Sequence, residues 1–418
     1  MLRKLFDLLP KNLRTHLLGV YHLSFALVGS LVYGNPSKRL IVIGVTGTKG
    51  KSSTAEMIYR ILTHSGKKVA LTGTVHFYIG EKEERNLFKM SMPGRFFIQR
   101  FLSRALKAQC THAVIEMTSE GARQYRHRGI LMDALVFTNL SPEHIESHGS
   151  FEKYAQAKIS IAEHLARSSK RPRIIVANSD DAYGKEFLSV AVEKKIPFSV
   201  GDADIQSLTP EGSRFTYKNT EYALRLPGEF NIANALGAIE VCGALGVSLT
   251  HAKEALSTLT KIAGRAERVL EGQSFEVVVD YAHTPDSLKA IYEAFPTRRI
   301  CVLGNTGGGR DVWKRPVMGS IADQYCDSAY LTDEDSYDEN LEDILNAMKE
   351  GFTRITPKVV LDRREAIRAA LLEAKEGDAV LITGKGTDPY IMGPRGTKVP
   401  WSDFEVAKEE LRVVLRSM

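Results

Sequence analysis

The run Ile41-Val42-Ile43-Gly44-Val45-Thr46-Gly47-Thr48-Lys49-Gly50-Lys51-Ser52-Ser53 constrains this chain more than any other stretch. An apolar, strand-like segment breaks into a glycine-rich turn ending in Gly-Lys-Ser, and a helix is expected over Ser53–Thr63. Such a junction aims backbone N–H groups and a helix N-terminus at an anion, and it feeds a strand directly into a helix, the unit of parallel α/β sheets. Lys51 adds a point charge and Ser52 a hydroxyl for Mg²⁺, so the loop implies a nucleotide's phosphate chain. The general P-loop pattern is not met, because Val45 stands where its first glycine belongs. What fits is the narrower Gly-Thr-x-Gly-Lys-Ser form, from Gly47 to Ser52.

Beyond Lys38, apolar runs bounded by turn residues alternate with helix-period segments. Strands are expected at Leu40–Val45, Val69–Thr72, Ala113–Met117, Ala134–Thr138, Arg173–Ala177 and Pro197–Val200. Helices are expected near Thr54–Ser65, Arg95–Gln109, Phe151–Ala166 and Lys185–Lys194. This alternation predicts a mostly parallel sheet covered on both faces. Residues 205–226 read as an antiparallel edge, followed by helices Asn231–Leu245 and Leu249–Leu259 and a hinge-like Gly264-Arg265. A second α/β series then begins at Phe275–Asp280 and runs through Ile300–Leu303, Ser328–Leu331, Val359–Leu361 and Ala379–Thr383. At 418 residues, more than one core usually organises, the expected division is an N-terminal helical segment 1–36, a central P-loop domain 37–265 and a C-terminal dinucleotide-fold-like α/β domain 266–418.

The first 36 residues differ from the rest: Arg3, Lys4, Lys11 and Arg14 sit among Leu and Phe, and Leu17–Tyr33 is almost wholly apolar. That run falls short of the ~20 residues of a spanning helix. Two readings fit it, a basic, apolar helix on the cytoplasmic membrane face or a helix docked on the protein's own core or a second copy. Cys110, Cys242, Cys301 and Cys326 are widely spaced, so neither a zinc site nor a disulfide is expected and a reducing cytosol is the simpler reading. The net charge of +6 suits an anionic substrate or surface, and with no nucleic-acid motif to direct it, no nucleic-acid partner is expected.

Ligands of open α/β sheets bind at the carboxyl ends of strands, and several polar residues fall there. Glu116 ends the run Ala113-Val114-Ile115, where a carboxylate can hold Mg²⁺ opposite Ser52. Asn139, His144 and His148 follow another strand end, and a neutral imidazole there can coordinate a metal or bond a phosphate oxygen. Lys158, on a helix, reads on spacing alone as a solvated lysine.

The ordered set of motifs resembles the Mur ligase family, ATP-dependent amide-forming enzymes of peptidoglycan assembly, and within it the UDP-N-acetylmuramoyl-tripeptide synthetase branch. The set runs from the loop Gly47–Ser52 through Glu116-Met117-Thr118-Ser119, Thr138-Asn139-Leu140-Ser141 with His144, Tyr154…Lys158, Asn178-Ser179-Asp180-Asp181, Phe230–Asn234, Gly264–Glu267, Asp280–Pro285, Lys314-Arg315-Pro316 and Gly384-Lys385-Gly386. It covers about Ile41 to Leu415. The resemblance implies that the γ-phosphate of ATP passes to a substrate carboxylate and that the amine of an amino acid displaces phosphate from the acyl phosphate.

It implies ATP held by Gly47, Thr48, Lys49, Gly50, Lys51, Ser52 and Ser53, with Asn231 and Asn234 at the adenine, Asp280 at the ribose, and Lys314. Arg265 and His283 would approach the phosphates. Two Mg²⁺ ions would lie on Ser52, Glu116, His144 and Lys158, the last carbamylated and so carboxylate-like. Asn139, Ser119, Asp335, Gly384 and Asp388 would meet the muropeptide acceptor and the amino acid. Closure about the glycine hinge would keep water from the acyl phosphate.

Two departures qualify this. Family members begin with a UDP-sugar-binding domain, and here Met1–Pro36 stands in its place, so a lipid-linked or otherwise altered muropeptide at the inner membrane face is expected. Where the family reads Asp-Asn-Pro-Arg for diaminopimelate, this chain has Glu334-Asp335-Ser336-Tyr337, which lacks the guanidinium fork. The acidic run Asp333–Asp335 with Asp338 either attracts a cationic amine such as lysine or ornithine or is a solvated loop. Competing readings are a folylpolyglutamate-synthetase-like ligase, an amidating relative, whose zinc-module cysteines are missing here, and a non-catalytic, membrane-tethered nucleotide-binding scaffold.

Overall fold

The computed structural model describes residues 11–94, 96–143 and 145–417. These divide into two compact units: Met1–Ser141 with Ser150–Asp202 and Ala233–Leu256, and Pro142–Gly149 with Ala203–Ile232 and Ser257–Met418.

The first unit is built on one sheet of eight strands: β1 (Ile41–Thr46), β2 (Val69–Thr72), β3 (His76–Ile79), β4 (Lys82–Arg85), β5 (His112–Met117), β6 (Ala134–Phe137), β7 (Ile174–Asn178) and β8 (Lys194–Phe198). Their order is β4-β3-β2-β5-β1-β6-β7-β8. The P-loop strand β1 is central, running parallel to β5 with Val45 opposite Glu116 and to β6 with Thr46 opposite Phe137. Strands covered on both faces read as continuous apolar runs, and Val42, Ile43 and Val45 have no exposed surface. Burying each such side chain contributes roughly 1.5–3 kcal/mol.

Two local expectations fail here. The helix expected over Lys185–Lys194 stops at Ser189, and Lys194–Phe198 is an edge strand paired in parallel with β7. Its lysines are helix formers by propensity, but the exposed sheet edge is where Lys and Pro197 are tolerated in a strand. The antiparallel hairpin β3–β4 was not expected; Gly80, at φ +60°, turns it.

Helix α1 (Lys11–Val32) packs on this unit by one face. Ser30 Oγ donates to Gly129 O and Asn35 Oδ1, both at 2.9 Å, and the Phe25 and Phe96 rings lie 5.2 Å apart. Its other face leaves Leu17, Leu18, Val20, Tyr21, Leu27, Val28, Leu31 and Val32 exposed. Docking on the chain's own core therefore describes one face only. Among the described residues no helix is long and apolar enough to cross a membrane.

The second unit holds a three-stranded antiparallel sheet of β9 (Asp204–Thr209), β10 (Gly212–Tyr217) and β11 (Thr220–Leu224), antiparallel as expected but a sheet of its own rather than an edge. It also holds a six-stranded sheet, β12-β13-β17-β14-β15-β16, comprising β12 (Glu267–Arg268), β13 (Glu276–Asp280), β14 (Arg299–Leu303), β15 (Ser328–Leu331), β16 (Lys358–Val359) and β17 (Ala379–Thr383). From β13 to β16 every pairing is parallel. The expectation of no disulfide is corrected: Cys301 in β14 and Cys326, just past helix Lys314–Tyr325, are bonded. They are 25 positions apart in sequence and meet in the buried cluster that also holds Leu303, Met318, Ala322 and Ala329. Cys110 and Cys242 are buried thiols.

Candidate active site

In the first unit the P-loop closes between β1 and α2 (Lys51–His64). Gly47 has φ +149° and a Cβ there would lie 1.9 Å from Thr138 Oγ1; Gly50, the helix N-cap, has φ +77° and faces Asn234 Oδ1. Glycine is required at both positions by conformation and by close approach. The turn is clamped from the β6 side. Thr48 N donates to Asn139 O and Lys49 N to Asn139 Oδ1, each at 2.8 Å, while Asn139 Nδ2 and Thr138 Oγ1 donate to Lys49 O. Asn139, expected at the substrate, thus uses its amide on the loop backbone.

Lys51 Nζ donates to Gly47 O and Thr48 O at 2.8 Å, which keeps the ammonium over the loop. Ser53 is buried in the first turn of α2. Ser52 Oγ donates to Glu116 Oε2 at 3.2 Å, and Glu116 is 1% exposed. Thr74 fixes the other edge of that carboxylate, its N donating to Oε1 at 2.9 Å and its Oγ1 to Oε2 at 2.8 Å. A serine hydroxyl and a single carboxylate are hard oxygen donors with room for water, the donor set Mg²⁺ uses, so the pair fits that ion. Among the described residues no cluster of three or more His, Cys, Asp or Glu could hold a metal.

Lys158, 2% exposed on helix Phe151–Ala166, donates its Nζ to Gly47 O at 2.7 Å and lies 4.8 Å from the Tyr154 ring centre. It is not the solvated lysine its spacing suggested. In this ammonium form it braces the loop and cannot ligate a cation. Thr48 Oγ1 and Tyr154 OH are 2.9 Å apart on the same side. Ser119 is buried at the start of a short helix capped by Thr118, and Asn234 Oδ1 accepts from Thr54 Oγ1 at 3.3 Å. His144 lies outside the described residues.

In the second unit the expected residues gather at the carboxyl end of β13. Asp280 accepts from Ala266 N at 2.6 Å and from Ala282 N at 2.7 Å; burial pushes its carboxyl up against the opposing pull of Arg265. The Arg265 guanidinium lies 4.7 Å from the Tyr281 ring centre. His283 bonds Tyr281 O at 2.7 Å through Nδ1 and Glu143 Oε1 at 2.9 Å through Nε2, and Lys314 Nζ donates to His283 O at 3.0 Å. Asn231 donates its Nδ2 to Pro227 O at 2.8 Å.

At the ends of β15 and β17, buried Lys385 donates to Asp335 Oδ1 at 2.8 Å and Asp388 Oδ2 at 3.0 Å. Glu334 approaches Gly384 so closely that a Cβ there would lie 2.5 Å from Oε2. The run Asp333–Asp335 is not a solvated loop, since Glu334 is 3% and Asp335 5% exposed. Thr74, Glu143 and Lys385 were not singled out as site residues. Thr74 had one available signal, its place after Gly73 at the carboxyl end of β2, two strands from the P-loop strand.

Residues 45–242 match the Mur ligase middle domain and residues 264–386 the Mur ligase, glutamate ligase domain. The chain is 33% identical to UDP-N-acetylmuramoyl-L-alanyl-D-glutamate–2,6-diaminopimelate ligase 1 of Clostridium acetobutylicum, over 93% of this chain and 82% of that protein. It is 37% identical to the 2,6-diaminopimelate ligase of Gloeobacter violaceus, over 92% of this chain and 80% of that one. A solved 2,6-diaminopimelate ligase superposes with a TM-score of 0.60 at 27% identity, covering 90% of this chain and 78% of that one. A folylpolyglutamate synthase of Mycobacterium tuberculosis superposes at 0.71 with 18% identity, covering 88% and 93%, a likeness of fold.

Proposed function

Because this chain belongs to the Mur ligase family, we propose that it joins an amino acid to a muropeptide carboxylate in an ATP-dependent reaction that passes through an acyl phosphate and yields ADP and phosphate. The observation that carries this is the buried Ser52–Glu116 pair beside a Gly-Thr-x-Gly-Lys-Ser loop. Phosphoryl transfer needs positioning and charge neutralisation more than covalent help. Backbone N–H groups of residues 47–52 and the start of α2 orient the phosphates, Lys51 neutralises developing charge, and Glu116 and Ser52 would hold Mg²⁺, which would supply further charge neutralisation. Carbamylated at Nζ, Lys158 would turn from a loop brace into an oxygen donor for a second ion. Asn231, Asn234 and Asp280 serve the nucleoside, and Arg265, His283 and Lys314 the phosphates. Residues 1–36 make peripheral contact with the inner membrane face.

Asp335 and Asp388 are buried on the Lys385 ammonium, Glu334 is buried beside Gly384, and Tyr337 occupies the position where the diaminopimelate branch reads arginine. This favours an incoming amino acid whose side chain carries an amine and no carboxylate, such as lysine or ornithine, over diaminopimelate. ADP release with a muropeptide acceptor and a panel of amino acids tests both statements, with the mass of the product identifying the residue added. Nucleotide turnover indifferent to acceptor and amino acid would sink the ligase reading, and faster turnover with diaminopimelate than with lysine or ornithine would sink the specificity.

A further inference from the structure

A cleft beside α1 contains none of the residues placed at the nucleotide, the metal or the incoming amino acid. Tyr21, His22, Phe25 and Ala26 line it from the helix, and Gly94, Gln124 and Arg126 from the loops of the same unit. Arg126 is the charge in it. Its guanidinium donates to Met92 O, to Gln124 Oε1 and to Met90 Sδ, all neutral acceptors. Among the described residues no carboxylate pairs with it, and Glu120, the acid that pulls on it, is bonded to Arg123 at 2.9 Å. Burial and the nearby Arg126 hold His22 below its usual range, leaving a neutral imidazole to donate or accept a hydrogen bond.

The rim of this cation is apolar. Tyr21 is 45% exposed, Met90 touches the guanidinium, and Leu87 and Phe88 are exposed on the loop that carries Met90. From Tyr21 the exposed face of α1 continues as Leu27, Val28, Leu31 and Val32. The stripe from Leu17 to Val32 is about 22 Å long at helical rise, the reach of an extended hydrocarbon chain rather than of a small solute. The cleft is also tied to the phosphate site. Met92, held by Arg126, follows Ser91, whose Oγ lies 2.6 Å from Thr74 Oγ1, and Thr74 donates to Glu116.

We propose that the cleft receives an anionic amphiphile, its acidic group on Arg126 and His22 and its hydrocarbon along Tyr21, Met90 and the outer face of α1, and that a lipid-linked acceptor is presented to the phosphate site in this way. The identity of the occupant as the acceptor rests on the ligase reading; binding of the amphiphile does not.

Calorimetric titration of the full chain tests it with dodecyl phosphate below its micellar concentration, against inorganic phosphate and dodecyl maltoside. Dodecyl phosphate is expected to bind about tenfold more tightly than either control. Arg126→Gln removes that margin while dodecyl maltoside binding stays as it was. Tyr21→Ser weakens dodecyl phosphate alone by about threefold. Arg126→Lys keeps most of the affinity, and with Tyr21→Ser it carries the comparison if Arg126→Gln melts early.

Equal affinity for inorganic phosphate would make this a plain anion site, equal affinity for dodecyl maltoside would make it a plain apolar groove, and unchanged binding by Arg126→Gln would place the ligand elsewhere; each overturns the proposal. Amphiphile binding without acceptor-dependent ADP release would sink the function and leave the cleft standing, and the reverse would sink only the cleft.

Discussion

On the proposed reading Lys51 serves the phosphates directly and Thr74 through Glu116, and substitution separates the two routes. The Lys51 ammonium bonds carbonyls of its own loop and packs no apolar core, so Lys51→Ala should leave the melting temperature almost unchanged while ADP release falls roughly 10²–10³-fold. Full activity in that variant would contradict the loop's role. Thr74→Val keeps the shape and the backbone donor to Glu116 Oε1 but removes the hydroxyl donor to Oε2. The Mg²⁺ concentration for half-maximal rate should then rise about tenfold, and an unaltered requirement would mean that Glu116 does not serve the metal.

His127 makes a third prediction, on stability. It is 1% exposed beside His164, and burial lowers its pKa to about 3. The unfolded ring protonates near its ordinary value of 6.5, so between the two values the unfolded chain binds more protons and stability is lost as pH falls. From pH 7 to 4.5 the loss should be on the order of 2 kcal/mol of unfolding free energy in denaturant titrations, and His127→Phe should flatten that slope. An equally steep slope in the variant would assign the acid sensitivity to other groups. The turn holding Gly47, Gly50, Lys51 and Ser52 was readable from contiguous sequence, and Glu116 from its place at a strand end. Thr74, Glu143 and Lys385 were not, since Thr74–Glu116, Glu143–His283 and Lys385–Asp335 each join residues far apart in sequence.

Elements with a strong single-period signal were readable to within a residue or two. β1, β5 and β6 are buried on both faces, and nothing competes with an apolar run for that place. β8 was misplaced because Glu193-Lys194-Lys195 has helix propensity, and only its pairing with β7 overrides it. The hairpin β3–β4 was missed because Lys82–Arg85 is charged throughout and offers no alternation. Ion pairs between elements were invisible, and one anchors the second unit. Arg363, opening helix Arg363–Glu373, and Asp403, opening helix Asp403–Ser417, are both wholly buried and bonded in a fork at 2.8 and 2.7 Å. Arg363→Met would strand a buried carboxylate and should cost about 3–5 kcal/mol in the unfolding of this unit. Arg363→Met with Asp403→Asn should recover much of that, because the stranded charge is gone. If the single variant were as stable as the parent, the pair would be water-accessible after all.

For the whole molecule, the outer face of α1 and the net charge of +6 act together. A single helix with about eight exposed apolar side chains holds a bilayer surface weakly, and basic residues near an anionic leaflet add about 1 kcal/mol each. Salt screens the second contribution and not the first, so the two can be told apart by ionic strength. The full chain should co-sediment with vesicles containing phosphatidylglycerol, less at high salt, and weakly with neutral vesicles at any salt. Leu27→Glu with Leu31→Glu should abolish the neutral-vesicle binding and most of the anionic, because both positions are solvent-facing and leave the inner contacts of Phe25 and Ser30 in place. Removal of residues 1–36 should do the same. Undiminished sedimentation of both variants would show that the membrane is not what this face meets. It would leave the Arg126 cleft as the remaining physical reason for reading the acceptor as lipid-linked, and the chemistry of the P-loop untouched.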